Sequence, residues 1–255
     1  MTADYGSART PARIGIVGPG RMGNLIANGL RWMRRDVEGP LGRGEVPTAD
    51  VVLLCVPDSE IEAACEVVAG HAAMVGHTSG ATPLGALSAA AEQGAEIFGL
   101  HPLQTVSGHS LDHLEGAGCA IAGSSPAALA MAREIASDVG METFVLEDEH
   151  RAAYHAAASI ASNYLLTLMA AAEAVAASAG MDGDEVRRIF DSLVRRTVEN
   201  WAAYGPAAAL TGPIKRGDEE TVARQREAVR AASPADLEMW EALTERTRDL
   251  ARVPA

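Results

Sequence analysis

Arg13-Ile14-Gly15-Ile16-Val17-Gly18-Pro19-Gly20-Arg21-Met22-Gly23 stands near the start of a 255-residue chain, and the rest is read from it. A short apolar run leads into glycines at 18, 20 and 23. Met22, Leu25, Ile26, Gly29 and Leu30 then recur on one helical face. The pattern predicts a strand, a tight turn and a helix, with the turn in G-x-G-x-x-G spacing. Each glycine has a physical job if the turn holds a dinucleotide. Gly18 permits the sharp exit from the strand, Gly20 lets a pyrophosphate lie against bare backbone, and Gly23 lets the helix pack close to the strand. The helix N-terminus offers free N–H groups and the positive end of a dipole. Gly18, Pro19, Gly20, Arg21, Met22 and Gly23 are therefore candidate cofactor contacts. The alternative is a glycine-rich turn that binds nothing.

Working outward, strands and helical segments alternate up to about residue 146. Asp36 to Gly39 takes the place of a second strand, with a loop over Gly39 to Gly44. Asp50 to Pro57 is an apolar run, as a strand buried on both faces requires. Helix over Glu60 to Ala69, strand over Ala73 to His77, helix over Pro83 to Gln93 and strand over Ala95 to Leu100 follow. Cys119 to Ala122 and Glu142 to Leu146 read as further strands, and Ser125-Pro126 opens a helix between them. The alternation predicts an α/β fold with a doubly wound, mostly parallel sheet. From Glu147 to Gly180 the pattern is one long helix, and three more follow. The boundary is placed near residue 148, giving a sheet domain over 1–148 and an all-α domain over 149–255.

Composition narrows the function. Hydrophobic residues make up 48% of the chain and aromatics 4%, so alanine, valine and leucine must fill the core. A formal charge of −13 argues against binding a nucleic-acid backbone. The three cysteines form no C-x-x-C pair, and no His/Cys/carboxylate set has metal-ligand spacing, so no metal is expected. No leader segment is recognisable at the start, and the alanine-rich stretch from Ala152 is interrupted by polar residues. A cytoplasmic protein with no membrane contact is expected.

In an open α/β sheet, ligands sit at the carboxyl ends of the strands. That rule selects Val56, Pro57 and Ser79 as further cofactor contacts, and His101 and Gln104 as groups near a reacting centre. His101 either binds substrate and moves a proton, or only braces its loop before Pro102. His155, Ser159 and Asn163 recur at i, i+4 and i+8, so they share one helix face. That polar stripe either faces the cleft or bonds across an interface. Lys215 and Arg216 stand between breakers before a helix start. They either clamp an anionic substrate group or are solvated beside a capping Asp218. After the second strand, Glu38 and Arg43 compete for the adenine ribose. Arg43 lies in the loop proper, which favours NADP over NAD.

Gly18 to Gly23 and Leu53-Leu54-Cys55-Val56-Pro57-Asp58 resemble the group of ketopantoate reductase, pyrroline-carboxylate reductase and prephenate dehydrogenase. Four further motifs are similar to a bacterial family with a Rossmann-like domain joined to a helical domain of unknown function. They are His101-Pro102-Leu103-Gln104-Thr105, Tyr154-His155-Ala156-Ala157, Ser162-Asn163-Tyr164-Leu165 and Gly212-Pro213-Ile214-Lys215-Arg216-Gly217-Asp218. The resemblance implies an NAD(P)-linked oxidoreductase fold, usually dimeric, with reactions mostly unassigned. Hydroxyacid dehydrogenases of the wider group carry a catalytic lysine on the first long helix, with an asparagine four residues on. Asn163 fits the asparagine, whereas Ser159 stands at the lysine position and makes His155 the substitute. The expectation is an NADP(H)-dependent reductase or dehydrogenase of a small polar carbonyl or imine. His155 or His101 moves the proton, Asn163 orients the substrate, and Ser159, Gln104, Lys215 and Arg216 contact it. A homodimer through the helical domain is expected from excess apolar helix surface. The rival from another class is a dinucleotide-binding redox sensor or interaction protein without turnover.

Overall fold

The structure, a computed structural model, describes residues 12–106 and 114–254. It divides at residues 160 and 161 into two compact units, each described by itself.

The first unit is a seven-stranded sheet with helices. In chain order it contains β1 (Ile14–Val17), α1 (Arg21–Trp32), β2 (Val37–Leu41), β3 (Val51–Leu54), α2 (Ile61–Val68) and β4 (Met74–His77). There follow α3 (Ser88–Glu92), β5 (Glu96–Pro102), β6 (Gly118–Gly123), α4 (Pro126–Asp138), β7 (Glu142–Val145) and α5 (Arg151–Ala161). The strand order is β2-β1-β3-β4-β5-β6-β7. Every pairing is parallel except β5 with β6. The order reverses beside β1, so a crevice opens at the carboxyl ends of β1 and β3. The fold is thus the α/β, doubly wound, mostly parallel sheet expected, followed by helices.

The sheet is covered on both faces, which explains its continuous apolar strands. All four residues of β1 and all four of β3 are buried. One cluster packs Ile14, Ile16, Leu25, Leu30, Phe98 and Ile135 together. The other packs Val52, Leu54, Ile61, Val68, Val75 and Leu87. Ser125 caps α4 by accepting from the Ala128 N–H at 3.0 Å, with Pro126 in the first turn.

Three boundaries differ from the sequence reading. Gly39 to Leu41 belong to β2 and not to a loop; β2 is an edge strand, where a proline without a donor is tolerated. β5 runs on through His101 and Pro102 because antiparallel β6 supplies partners, Ala120 opposite His101 and Cys119 opposite Pro102. The expected single helix over 147–180 is two helices, α5 and α6 (Asn163–Ala177), broken at Ser162.

The second unit continues with α7 (Gly183–Tyr204), α8 (Pro206–Ala209), α9 (Pro213–Arg216), α10 (Glu219–Ala232) and α11 (Leu237–Arg252). Asp182 caps α7 through the Glu185 N–H at 2.8 Å, and Asp218 caps α10 through the Thr221 N–H at 3.1 Å. The segment read as a loop over Leu210 to Gly217 contains the single turn α9. By length and composition one helical stretch of 30 residues, Asp148–Ala177, could cross a membrane, with mean hydropathy 1.4 in its most apolar 18-residue window. It is interrupted at Ser162 and carries Asp148, Glu149, Arg151 and Glu173.

The division comes later than the boundary read near residue 148, because α5 is tied to the sheet at its first residue. Arg151 is 3% exposed. Its guanidinium donates to the Asp148 carboxylate at 2.6 Å and to the Ser79 carbonyl at 3.3 Å. Gly99 makes room for it: a β-carbon there would stand 2.6 Å from a guanidinium nitrogen.

Candidate functional site

The glycine turn has the geometry its spacing requires. Gly18 has φ +108°, and a β-carbon on it would stand 2.3 Å from the Cys55 carbonyl oxygen. A β-carbon on Gly23 would stand 2.0 Å from the Gly18 carbonyl oxygen. Gly20 differs: a β-carbon on it would meet no protein atom within 4 Å. Two glycines are therefore demanded by the fold, and the third faces open space. Asn24, absent from the sequence reading, braces the turn by donating to the Pro19 and Gly20 carbonyls at 2.8 and 2.9 Å. The first turn of α1 has no acid and no side-chain cap, so its N–H groups stay available to an anion.

This turn forms one wall of a cleft of about 350 Å³, at the crevice between β1 and β3. Gly18, Pro19, Gly20, Arg43, Val56 and Pro57, all singled out from sequence, line it. Arg43 is exposed and pairs with Glu60 at 2.8 Å. Glu38, its rival for the ribose, is already engaged by Arg13 at 3.0 Å and the Thr48 N–H at 3.1 Å. Arg21 donates to the Val106 carbonyl at 2.9 Å, and Met22 packs on the core. Ser79 is buried, and its hydroxyl accepts from the Ala81 and Thr82 N–H groups and donates to the Thr82 hydroxyl, so it holds its own turn together.

A second cluster lies at the carboxyl end of β5. The His101 Nδ1 is 2.7 Å from the Tyr154 hydroxyl of α5. Their rings meet edge to face at 5.6 Å between centroids, and the His155 ring stands 6.2 Å from that of His101. Phe144 of β7 packs against Tyr154 at 5.9 Å. Gly80 is small for a reason: a β-carbon there would be 2.7 Å from the His101 ring. Burial pushes the His101 pKa down to about 4, with help from the charges of His155 and Arg151. Burial also raises the Tyr154 phenol to about 12. His77, at the end of β4, is fully buried and accepts from the Ser79 N–H at 3.2 Å. Its Nε2 is buried and has no hydrogen-bond partner among the described residues, and burial holds its pKa at about 4. Both imidazoles are therefore neutral at pH 7.

The structure brings His101 and His155 together and adds Tyr154 and Arg151, which the sequence reading did not select as site residues. Tyr154 lay inside a quoted motif, one residue before His155. No sequence signal marked Arg151, because burial of an arginine is decided by the carbonyl and carboxylate that receive it. Ser159 is half-buried on α5, and Gln104 is exposed and accepts the Thr105 N–H at 2.8 Å. The common face expected for His155, Ser159 and Asn163 is not continuous, since the break at Ser162 separates Asn163 from the other two. In the second unit, Lys215 donates to the Ala251 carbonyl at 3.2 Å, near the end of α11. Arg216 is exposed beside the helix-capping Asp218. Among the described residues no set of His, Cys, Asp and Glu could hold a metal ion.

Residues 117–247 match the model of a domain of unknown function, DUF2520. No curated protein matches the chain in sequence. Among solved structures, a Bacteroides fragilis protein described provisionally as an NADP oxidoreductase superposes with a TM-score of 0.77 at 20% identity. That match covers 94% of this chain and 98% of the other. The 1-pyrroline-5-carboxylate reductase of Streptococcus pyogenes gives 0.61 at 17% identity, covering 95% and 98%. A reductive aminase from Aspergillus terreus, in complex with NADPH and ethyl-5-oxohexanoate, gives 0.65 at 17%, again covering 95% and 98%. These likenesses extend over both halves of the chain and establish its fold.

Proposed function

This chain belongs to the DUF2520 family, and from that premise we propose that it is an NADP(H)-dependent reductase of a small polar carbonyl or imine. One observation carries the reading: of three glycines in the turn, only Gly20 is free of the fold, and it stands beside the cleft at the strand-order reversal. Open space before an uncapped helix N-terminus suits a pyrophosphate. The residues present fit the group. Gly18, Pro19 and Gly20 would hold the pyrophosphate, Val56 and Pro57 would flank it, and Arg43 would meet a 2′-phosphate while Glu38 stays tied to Arg13. NADPH, when bound, supplies the hydride, and this chain supplies position and a proton. The proton comes from the cluster of His101, Tyr154 and His155. Solved neighbours with NADPH or with reductase names support the reading at the level of fold. The protein works in the cytoplasm as a homodimer, joined through the apolar face of the second unit.

The test is titration with NADPH and NADH, followed by turnover against pooled 2-oxoacids, cyclic imines and aldehydes. Tighter binding of NADPH and reduction of at least one probe are expected. Arg43→Ala should cost NADPH about tenfold or more, the loss of a hydrogen bond to a charged group, and leave NADH nearly unchanged. Binding without turnover across the pools would favour the sensor reading, and no binding of either cofactor would remove both.

A further inference from the structure

We propose that the Tyr154 hydroxyl is the proton donor to the substrate heteroatom, with His101 as the residue that polarises and reprotonates it. The inference rests on the reductase reading and adds the atom that delivers the proton.

The geometry begins at Arg151. Its buried guanidinium fixes the first turn of α5 against Ser79 and Asp148. Tyr154 follows three residues later, on the same side of the helix, and this rotation sets its hydroxyl against His101. Phe144 packs on the tyrosine ring, and His101 sits in a paired strand with its ring against Gly80. Both partners are held by elements of one compact unit. A hydrogen-bonded phenol and imidazole at a strand's carboxyl end stand where an α/β sheet presents reacting groups.

An imidazolium at His101 is scarce at neutral pH, since burial holds the ring neutral until about pH 4. Tyr154 keeps its proton across the whole working range. Its cost is weak acidity, and the surroundings offset it. The His101 Nδ1–H can donate to the phenolate as it forms, and the Arg151 charge favours that anion. The charged and titratable groups around the pair are Arg151 and His155 on α5, Cys119 on β6, and Asp58 before α2.

The step balances. The substrate carbon takes the hydride with its electron pair, and the π pair of C=X moves onto X. The X–H bond forms as the Tyr154 O–H bond breaks. The Nδ1 proton of His101 passes to the phenolate oxygen while Nε2 takes a proton from solvent water, and proton exchange with solvent then returns the imidazole to its Nδ1–H form. The net change is one hydride and one proton added to the substrate.

The experiment compares wild type, Tyr154→Phe and His155→Gln, using NADPH and whichever pooled probe wild type reduces. Tyr154→Phe keeps the ring contacts and removes only the hydroxyl. It should bind NADPH within about threefold of wild type and lose about 10²–10⁴ in kcat with little change in KM. Wild-type kcat should stay level from pH 6 to 9, where an imidazolium donor would fail above its ordinary value of about 6.5. In the apoprotein, ¹⁵N NMR should show one histidine neutral at pH 6 as the Nδ1–H tautomer, with its signals moved by Tyr154→Phe. Full kcat in folded Tyr154→Phe, or a wild-type kcat that falls through the imidazole range and is lost in His155→Gln, overturns the assignment and leaves the reductase reading standing. No reduction of any probe by wild type overturns that reading itself. If Tyr154→Phe fails to fold, the wild-type pH profile and the tautomer still decide.

Discussion

The two units of this chain treat their apolar residues in opposite ways. In the sheet unit, β1 and β3 are buried at every position, and Phe98, Leu53, Leu54, Ile61 and Leu100 are wholly enclosed. In the helical unit, Ala176, Val186, Val222 and Val229 are the only buried apolar residues among those described. Meanwhile Tyr164, Leu166, Leu193, Trp201 and Tyr204 are each more than half exposed. The sheet unit closes its own core and leaves Trp32 as an exposed side chain; the helical unit leaves a row of large side chains in water. A lone apolar side chain on a surface needs no explanation, but a row of them at helical spacing marks an interaction face. Leu193 and Trp201 lie eight residues apart on α7, with Ile189 four before Leu193, so they share that face. Its occupant in our reading is the same face of a second copy, the simplest closed arrangement.

The most direct way to break this comparison is to charge that face. Wild type should sediment as a dimer at micromolar concentration. Leu193→Lys with Trp201→Glu should weaken the dimer by about 10³-fold, since central apolar anchors are worth about 2 kcal/mol or more each. A monomeric wild type would mean that the exposed row serves something else.

A smaller effect separates fold from ligand within the sheet unit. Gly20→Val should fold normally, because Gly20 has an ordinary φ of −72° and open space around it. NADPH affinity should fall on the order of 10²-fold as the side chain fills the pyrophosphate's place. Gly18→Val should instead fail to fold stably, since its β-carbon collides with the Cys55 carbonyl at a positive φ. Thermal melts with NADPH titration check both, and equal behaviour of the two variants would refute the division of labour.

The smallest effect concerns the buried imidazoles. His77 and His101 are held near 4, below the ordinary value of about 6.5. Below about pH 6.5 the unfolded chain binds protons at these sites and the folded chain does not. Stability is therefore complete above about 6.5 and is lost as pH falls from there through 4. At pH 5 each histidine contributes a loss of at most about 2 kcal/mol. His77→Gln should show a shallower fall in Tm between pH 7 and 5 than wild type does. Parallel curves would show that His77 titrates normally.

Much of the sheet unit was legible in the residues because its signals are local. Glycine spacing, apolar runs and the Ser125-Pro126 helix start each act over a few positions, and each appears where expected. The helical unit was less legible. The break at Ser162 interrupts an alanine-rich pattern that carries no proline or glycine, so nothing in the string forecast it.

By itself, the sequence determined the doubly wound sheet, the dinucleotide-type turn and the presence of His101 and His155 near strand and helix ends. Short-range sterics and periodicity suffice for these, since a β-carbon at Gly18 or Gly23 is excluded by neighbouring backbone. Only the tertiary structure decided which polar groups meet. It paired His101 with Tyr154 across 53 residues, sank Arg151 against Ser79 across 72, and turned the Ser79 hydroxyl inward. Those outcomes depend on which buried donor finds an acceptor in the packed chain. Hydrogen bonding and desolvation settle that choice in three dimensions, and residue spacing does not encode it.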